Sequence, residues 1–196
     1  MVPVQFIIQA PTAEECLKQA EAVLAAGGKW IELSVASLSS NEAADVSACL
    51  LKECHTNGAT FCVVDDVELC KAVGADGVFM TGEDACVDEV REALGHEFMI
   101  GAAATDLQRL KLLKRMSADY VRLCYSKGLN DLSNVIREAH EQQLRLPICV
   151  QLVGALGYGE AQKVMEAGTD GLAINCNAEM PVGLGEAVRT LLHLDD

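Results

Sequence analysis

Apolar residues along this chain gather in short runs of strand length that recur at even intervals: Pro3–Ala10, Trp30–Val35, Thr60–Val64, Gly77–Met80, Phe98–Ala102, Tyr120–Cys124, Pro147–Leu152 and Gly171–Ile174. Between them the apolar spacing becomes helical, over Ala13–Ala26, Glu42–Asn57, Val67–Val73, Ala85–Leu94, Asp106–Met116, Leu132–Gln143, Gly159–Ala167 and Gly183–Leu192. Start signals support these boundaries. Thr12 stands three residues before Glu15 in a capping-box arrangement, and Ser40-Asn41-Glu42 is a second N-terminal signature. Stop signals follow at Gly27, Asn57-Gly58, Gly74, Gly95 and Gly168, where glycine supplies a left-handed C-cap. The strings Gly74-Ala75-Asp76-Gly77 and Gly168-Thr169-Asp170-Gly171 turn a helix end into a strand, and Met116-Ser117-Ala118-Asp119-Tyr120 makes the same turn without glycine.

Strand and helix alternate eight times, with no linker or low-complexity stretch between the units. Such alternation calls for a parallel sheet with helical crossovers. Eight similar units favour closure into one single-domain (β/α)8 TIM barrel over the full chain, with an open doubly wound sheet as the alternative. At 196 residues the chain is short for that fold, so its loops must be short.

Composition narrows the chemistry. Hydrophobic residues make up 51% of the chain but aromatics only 4%, which suits strands buried on both faces by aliphatic side chains. A formal net charge of −14 argues against nucleic acid and against an anionic membrane surface. Nine cysteines without a CxxC pair read as reduced, mostly buried thiols in a cytoplasmic setting, with Cys124 and Cys176 set apart because they end strands. No basic leader or long apolar run suggests a signal peptide or a membrane span.

In a barrel of this kind chemistry belongs on the loops that follow the strands. Asp65 and Asp84 end adjacent strands and could place two carboxylates around a hard cation such as Mg²⁺; capping of the following helices, by Asp65 or Asp66 and by Asp84, is the plainer role, and the two are compatible. Glu32 lies mid-strand, where it is expected to face the barrel interior as a candidate catalytic carboxylate. Of the fifteen Lys and Arg residues, only Lys127 and, from within its strand, Arg122 are placed to approach the rim. Gly154, Gly157 and Gly159, with the loop after the last strand, sit where barrels often hold phosphate through backbone N–H groups; a tight turn is the equal alternative. The four histidines lie on helices or their ends, away from the rim.

The run from Phe61 to Val78, with its Val64-Asp65-Asp66-Val67-Glu68-Leu69 and Gly74-Ala75-Asp76-Gly77-Val78 strings, resembles the thiamine phosphate synthase family and its thiazole tautomerase relatives. Thr81-Gly82-Glu83-Asp84 is similar to that family's Gly-Gln-x-Asp loop, Ile100-Gly101-Ala102-Ala103 to its Ile-Gly-Val-Ser strand, and Ala118-Asp119-Tyr120-Val121 and Ala167-Gly168-Thr169-Asp170-Gly171 match as well. The resemblance covers nearly the whole chain. It implies coupling of an aminopyrimidine methyl diphosphate to a thiazole phosphate with release of pyrophosphate, Mg²⁺ on Asp65 and Asp84, and Lys127 as the counterpart of a loop lysine. It further implies phosphate contacts at Gly154-Ala155 and Asn175-Cys176. Other family positions differ: the Gln-Leu-Arg-x-Lys strand reads Glu32-Leu33-Ser34-Val35-Ala36, an asparagine is Val64, and the strand-five serine is Ala103. The tautomerase histidine has no counterpart at Phe79 or Thr105.

These losses imply weak or altered turnover. Two alternatives therefore stand beside the coupling reaction. One is a non-catalytic barrel binding a small phosphorylated metabolite or a partner; the other is an aldolase-type lyase using Glu32, which would need a lysine where Arg122 stands. Homo-oligomer formation is left open by the sequence.

Overall fold

The computed structural model describes residues 3–124, 129–152, 158–176 and 183–193. Its strands are β1 (Val4–Ile8), β2 (Trp30–Ser34), β3 (Thr60–Val64), β4 (Gly77–Met80), β5 (Met99–Ala104), β6 (Tyr120–Cys124), β7 (Ile148–Leu152) and β8 (Gly171–Asn175). Each is followed by a helix: α1 (Ala13–Ala25), α2 (Ser40–Thr56), α3 (Val67–Val73), α4 (Val87–Leu94), α5 (Leu107–Arg115), α6 (Leu129–Glu141), α7 (Tyr158–Glu166) and α8 (Leu184–Leu192). Neighbouring strands pair in parallel all the way round, and β1 closes on β8 with Val4 opposite Leu172 and Ile7 opposite Asn175. That closure settles the choice between barrel and open sheet. Among the described residues no helix is long and apolar enough to cross a membrane.

Side chains along each strand alternate between two environments. One set, including Phe6, Ile8, Ile31, Leu33, Phe61 and Val63, packs outward against the helices in the main core. The other turns into the barrel. Helix starts follow the expected chemistry with small shifts. Thr12 caps α1 by accepting from the Glu15 N–H, and Ser39, one residue ahead of the expected signature, forms a full capping box with Glu42 on α2. Strand β5 runs on through Ala103 and Ala104, which the sequence places in a loop.

The recurring aspartate turns acquire a physical meaning. Asp76, Asp119 and Asp170 each precede a strand and accept the backbone N–H of Phe61, Ile100 and Ile148 at 2.7, 2.7 and 2.8 Å. Their own N–H groups return to the carbonyls of the same residues at 2.9, 2.9 and 2.8 Å. Each aspartate thus fastens the start of one strand to its neighbour at the face opposite the mouth. In the turn that lacks glycine, Ser117 takes the left-handed conformation itself (φ 59°).

Candidate active site at the C-terminal mouth of the barrel

Asp65 follows β3 directly and holds a left-handed backbone (φ 58°), a strained choice that a short polar side chain tolerates best. Its N–H donates to the Phe79 carbonyl at 2.9 Å. Its exposed carboxylate accepts the Thr81 N–H on Oδ1 at 2.7 Å and the Thr81 hydroxyl on Oδ2. Asp65 therefore ties the tip of β3 to the loop after β4. Capping of α3 falls instead to Asp66, which accepts from the Leu69 N–H at 2.8 Å. Asp84 is exposed in the same β4 loop, and α4 begins after Cys86 with no side-chain cap bond, so Asp84 caps nothing either. The helix-cap role thus holds for Asp66 and is corrected for Asp65 and Asp84.

Does this pair fit a divalent metal? Among the described residues no group of three or more His, Cys, Asp or Glu side chains gathers as a metal site. Two exposed carboxylates remain, and their all-oxygen chemistry matches Mg²⁺. That ion is usually held by one or two carboxylates, with water and substrate phosphates completing its shell.

Glu32 points into the barrel, as its alternation with Ile31 and Leu33 implies, but it is fully buried. Its Oε1 accepts from Arg122 Nη2 at 2.5 Å and from the Tyr120 hydroxyl at 3.1 Å. Arg122 also donates to Gln5 Oε1 through Nη2 and Nε, at 2.7 and 3.2 Å, and its Cζ lies 3.7 Å from the Phe79 ring centroid. The aromatic stack continues to Tyr120, whose ring centroid is 5.9 Å from Phe79 and 5.3 Å from Trp30. Room for the Tyr120 ring exists because position 101 is glycine; a Cβ there would lie 2.1 Å from its Cζ.

Electrostatics follow from this packing. Burial alone would lower the Arg122 pKa, but the groups around it, Glu32 foremost, together raise it and the guanidinium stays charged. Burial and the Glu32 carboxylate push the Tyr120 phenol well up, so it is a neutral donor. Arg122 is 1% exposed and already paired, so it lies beneath the mouth rather than on it. That corrects its expected approach to the rim. Glu32 Oε2 and Gln5 Nε2 are buried without a partner.

Two residues further along the inward faces, towards the C-terminal ends of the strands, come Ile7, Ser34, Val64, Cys124, Gln151 and Asn175. Ser34, Gln151 and Asn175 are half-buried and Cys124 is exposed. Cys176 has its N–H committed to the Ile7 carbonyl at 2.8 Å and its side chain in the core, where burial pushes the thiol up to about 12. Asn175 is therefore the member of that pair with a polar group at the mouth. Lys127, Gly154 and Ala155 lie outside the described residues.

Two features escaped the sequence. Gln151 sits inside an apolar run, and only counting two residues on from the interior layer reveals it. Arg109, not counted among the cations that approach the rim, lies in the first turn of α5, level with the mouth, and its Nη2 donates to the Ala85 carbonyl in the β4 loop at 2.9 Å. The missed signal was its distance from the helix N-cap, Asp106, three residues earlier.

The family model of thiamine monophosphate synthase (TMP-TENI) matches residues 4–176. A thiamine-phosphate synthase of Phocaeicola vulgatus is 30% identical over 186 residues, covering 89% of this chain and 88% of its own. One from Bacteroides fragilis is 28% identical over 187 residues, covering 89% and 91%. The solved thiamine phosphate pyrophosphorylase of Pyrococcus furiosus shares the fold, with a TM-score of 0.82 at 20% identity over 98% of this chain and 95% of that one. With its closed eight-stranded barrel and a match spanning all eight strands, this chain belongs to the thiamine monophosphate synthase family.

Proposed function

We propose that this protein is a divergent thiamine-phosphate synthase that couples an aminopyrimidine methyl diphosphate to a thiazole phosphate at the barrel mouth, with release of pyrophosphate and with slow turnover. The observation that carries the reading is the pair of exposed carboxylates, Asp65 and Asp84, one of them clamped by Thr81. They would hold Mg²⁺, which when bound supplies positive charge to the diphosphate. Asp65 is oriented for this by two donors from Thr81, an arrangement that also keeps its carboxylate from rotating. Asn175, Ser34 and Gln151 offer neutral hydrogen-bonding groups on the floor of the mouth. Lys127 and the Gly154-Ala155 turn would contribute cation and backbone N–H contacts to phosphate.

Slow turnover follows from charge. Among the described residues the barrel interior holds one cation, Arg122, and Glu32 neutralises it. Losing one transition-state donor commonly costs about 10²–10³-fold in rate. The aldolase alternative loses ground for the same reason: a guanidinium stays protonated and forms no Schiff base with a carbonyl, and it occupies the β6 position that reaction needs. Phosphorylated small molecules are the substrates on this reading, in the cytoplasm, where nine reduced cysteines are at home.

The test is direct. Purified protein with both substrates and Mg²⁺ should form product slowly. Asp65→Ala should lower the rate at least about 10²-fold, and Lys127→Ala by a similar factor. No product from the native protein at high enzyme concentration overturns the coupling reaction. A Mg²⁺-independent thermal shift with the phosphorylated substrates would then favour a binding role.

A further inference from the structure

The β4 loop is held around Asp84 from both ends. At its start Thr81 bonds Asp65 through both N–H and hydroxyl. At its finish the Ala85 carbonyl accepts from Arg109 Nη2 at 2.9 Å. Between them Gly82 leaves space for the Asp84 carboxylate, since a Cβ at 82 would lie 3.1 Å from Asp84 Oδ1. Arg109 reaches the loop from a different unit of the barrel, the first turn of α5, and its own backbone is fixed there because its N–H donates to Asp106 Oδ1 at 2.8 Å. Its Nε is buried without a partner. A buried guanidinium nitrogen left unbonded is costly, so packing alone accounts poorly for an arginine at this place; the carbonyl next to Asp84 is the contact it makes.

From this geometry we infer that Arg109 is a positioning residue, holding the Asp84 carboxylate where a divalent cation can be shared with Asp65. The inference rests on the reading of Asp65 and Asp84 as metal ligands. A ligand carboxylate on a free loop must be ordered when the ion binds, whereas one clamped beforehand has met that entropy cost in folding. The guanidinium acts through the backbone next to Asp84 and leaves both carboxylates free for the ion. It does so without placing its charge on the carboxylate, which would compete with a cation.

The experiment is Mn²⁺ titration of the intact protein, followed by calorimetry and by the paramagnetic resonance signal of free Mn²⁺. Native protein should bind one Mn²⁺, and Asp84→Asn should abolish binding. Arg109→Met, which keeps the aliphatic stem and removes the donors, should weaken the affinity about tenfold or more. Arg109→Lys, with one donor able to reach the same carbonyl, should recover part of the loss. Thermal unfolding in EDTA separates folding from metal affinity: a variant that melts lower but binds Mn²⁺ like the native protein overturns the inference. If Asp65→Asn and Asp84→Asn leave Mn²⁺ binding unchanged, the metal reading itself fails. If they abolish it while Arg109→Met does not weaken it, only the positioning role fails.

Discussion

Glu32 and Arg122 sit in the middle of the barrel, with side chains 0% and 1% exposed, and each makes the other tolerable there. Removing one partner strands a charge in a low-dielectric interior, whereas replacing both by apolar groups can be neutral or better. Glu32→Gln and Arg122→Met should each destabilise the protein by about 3–5 kcal/mol, read from urea unfolding. The double variant Glu32→Gln/Arg122→Met should be far more stable than the sum of the single losses suggests. Simple additivity would show that the pair is not coupled. Half of this was legible beforehand. Alternation along β2 turns Glu32 inward, but its partner lies 90 residues away in sequence, and no local pattern joins them. For the same reason Arg122 looked available to the rim.

Strand and helix boundaries were the most legible level, because caps and left-handed turns are written in single residues. Deviations occur where an element is lengthened by its neighbours. Strand β5 extends to Ala104 because β6 continues to pair with it, with Ala103 opposite Arg122 and Ala104 opposite Leu123. The aspartate turns were visible as a motif but not as a device, since each aspartate bonds a strand start more than a dozen residues earlier. Asp170→Ala should free the buried Ile148 N–H and cost about 1–3 kcal/mol, with the Ile148 amide becoming one of the faster-exchanging protons of β7. Unchanged exchange at that amide would mean that the carboxylate adds little to the ladder.

At the scale of the whole molecule, an aromatic-poor core leaves volume that cysteine fills, and six of the nine thiols are buried. Burial, their chief cause, pushes Cys54, Cys70, Cys149 and Cys176 up to about 12 from an ordinary 9.0. The unfolded chain releases these protons near pH 9 while the folded protein retains them. Stability is therefore unaffected by these groups below pH 9 and should fall steadily as pH rises from about 9 toward 12. Urea midpoints measured under reducing conditions across that range should show the decline, and it should be shallower in Cys54→Ala/Cys70→Ala. An equal slope in that variant would assign the alkaline loss to other groups. Exposed Cys49 departs from the expectation of burial because it lies on the outer face of α2, where the helical period brings it to solvent.

The sequence by itself determined the units, their order and their parallel pairing, because hydrophobic period, caps and the handedness of strand–helix–strand crossovers are local properties. It also pointed to the C-terminal ends of the strands as the place for chemistry, and so brought Asp65 and Asp84 forward. Tertiary structure alone decided what those side chains are free to do. Closure of β1 on β8 brought Gln5, Glu32, Tyr120 and Arg122 into one buried cluster, while packing of neighbouring units bound Asp65 to Thr81 and carried Arg109 to the loop of Asp84. Hydrogen bonds and ion pairs across a barrel join residues by layer and neighbouring strand, and chain order holds no record of a layer until the barrel has closed.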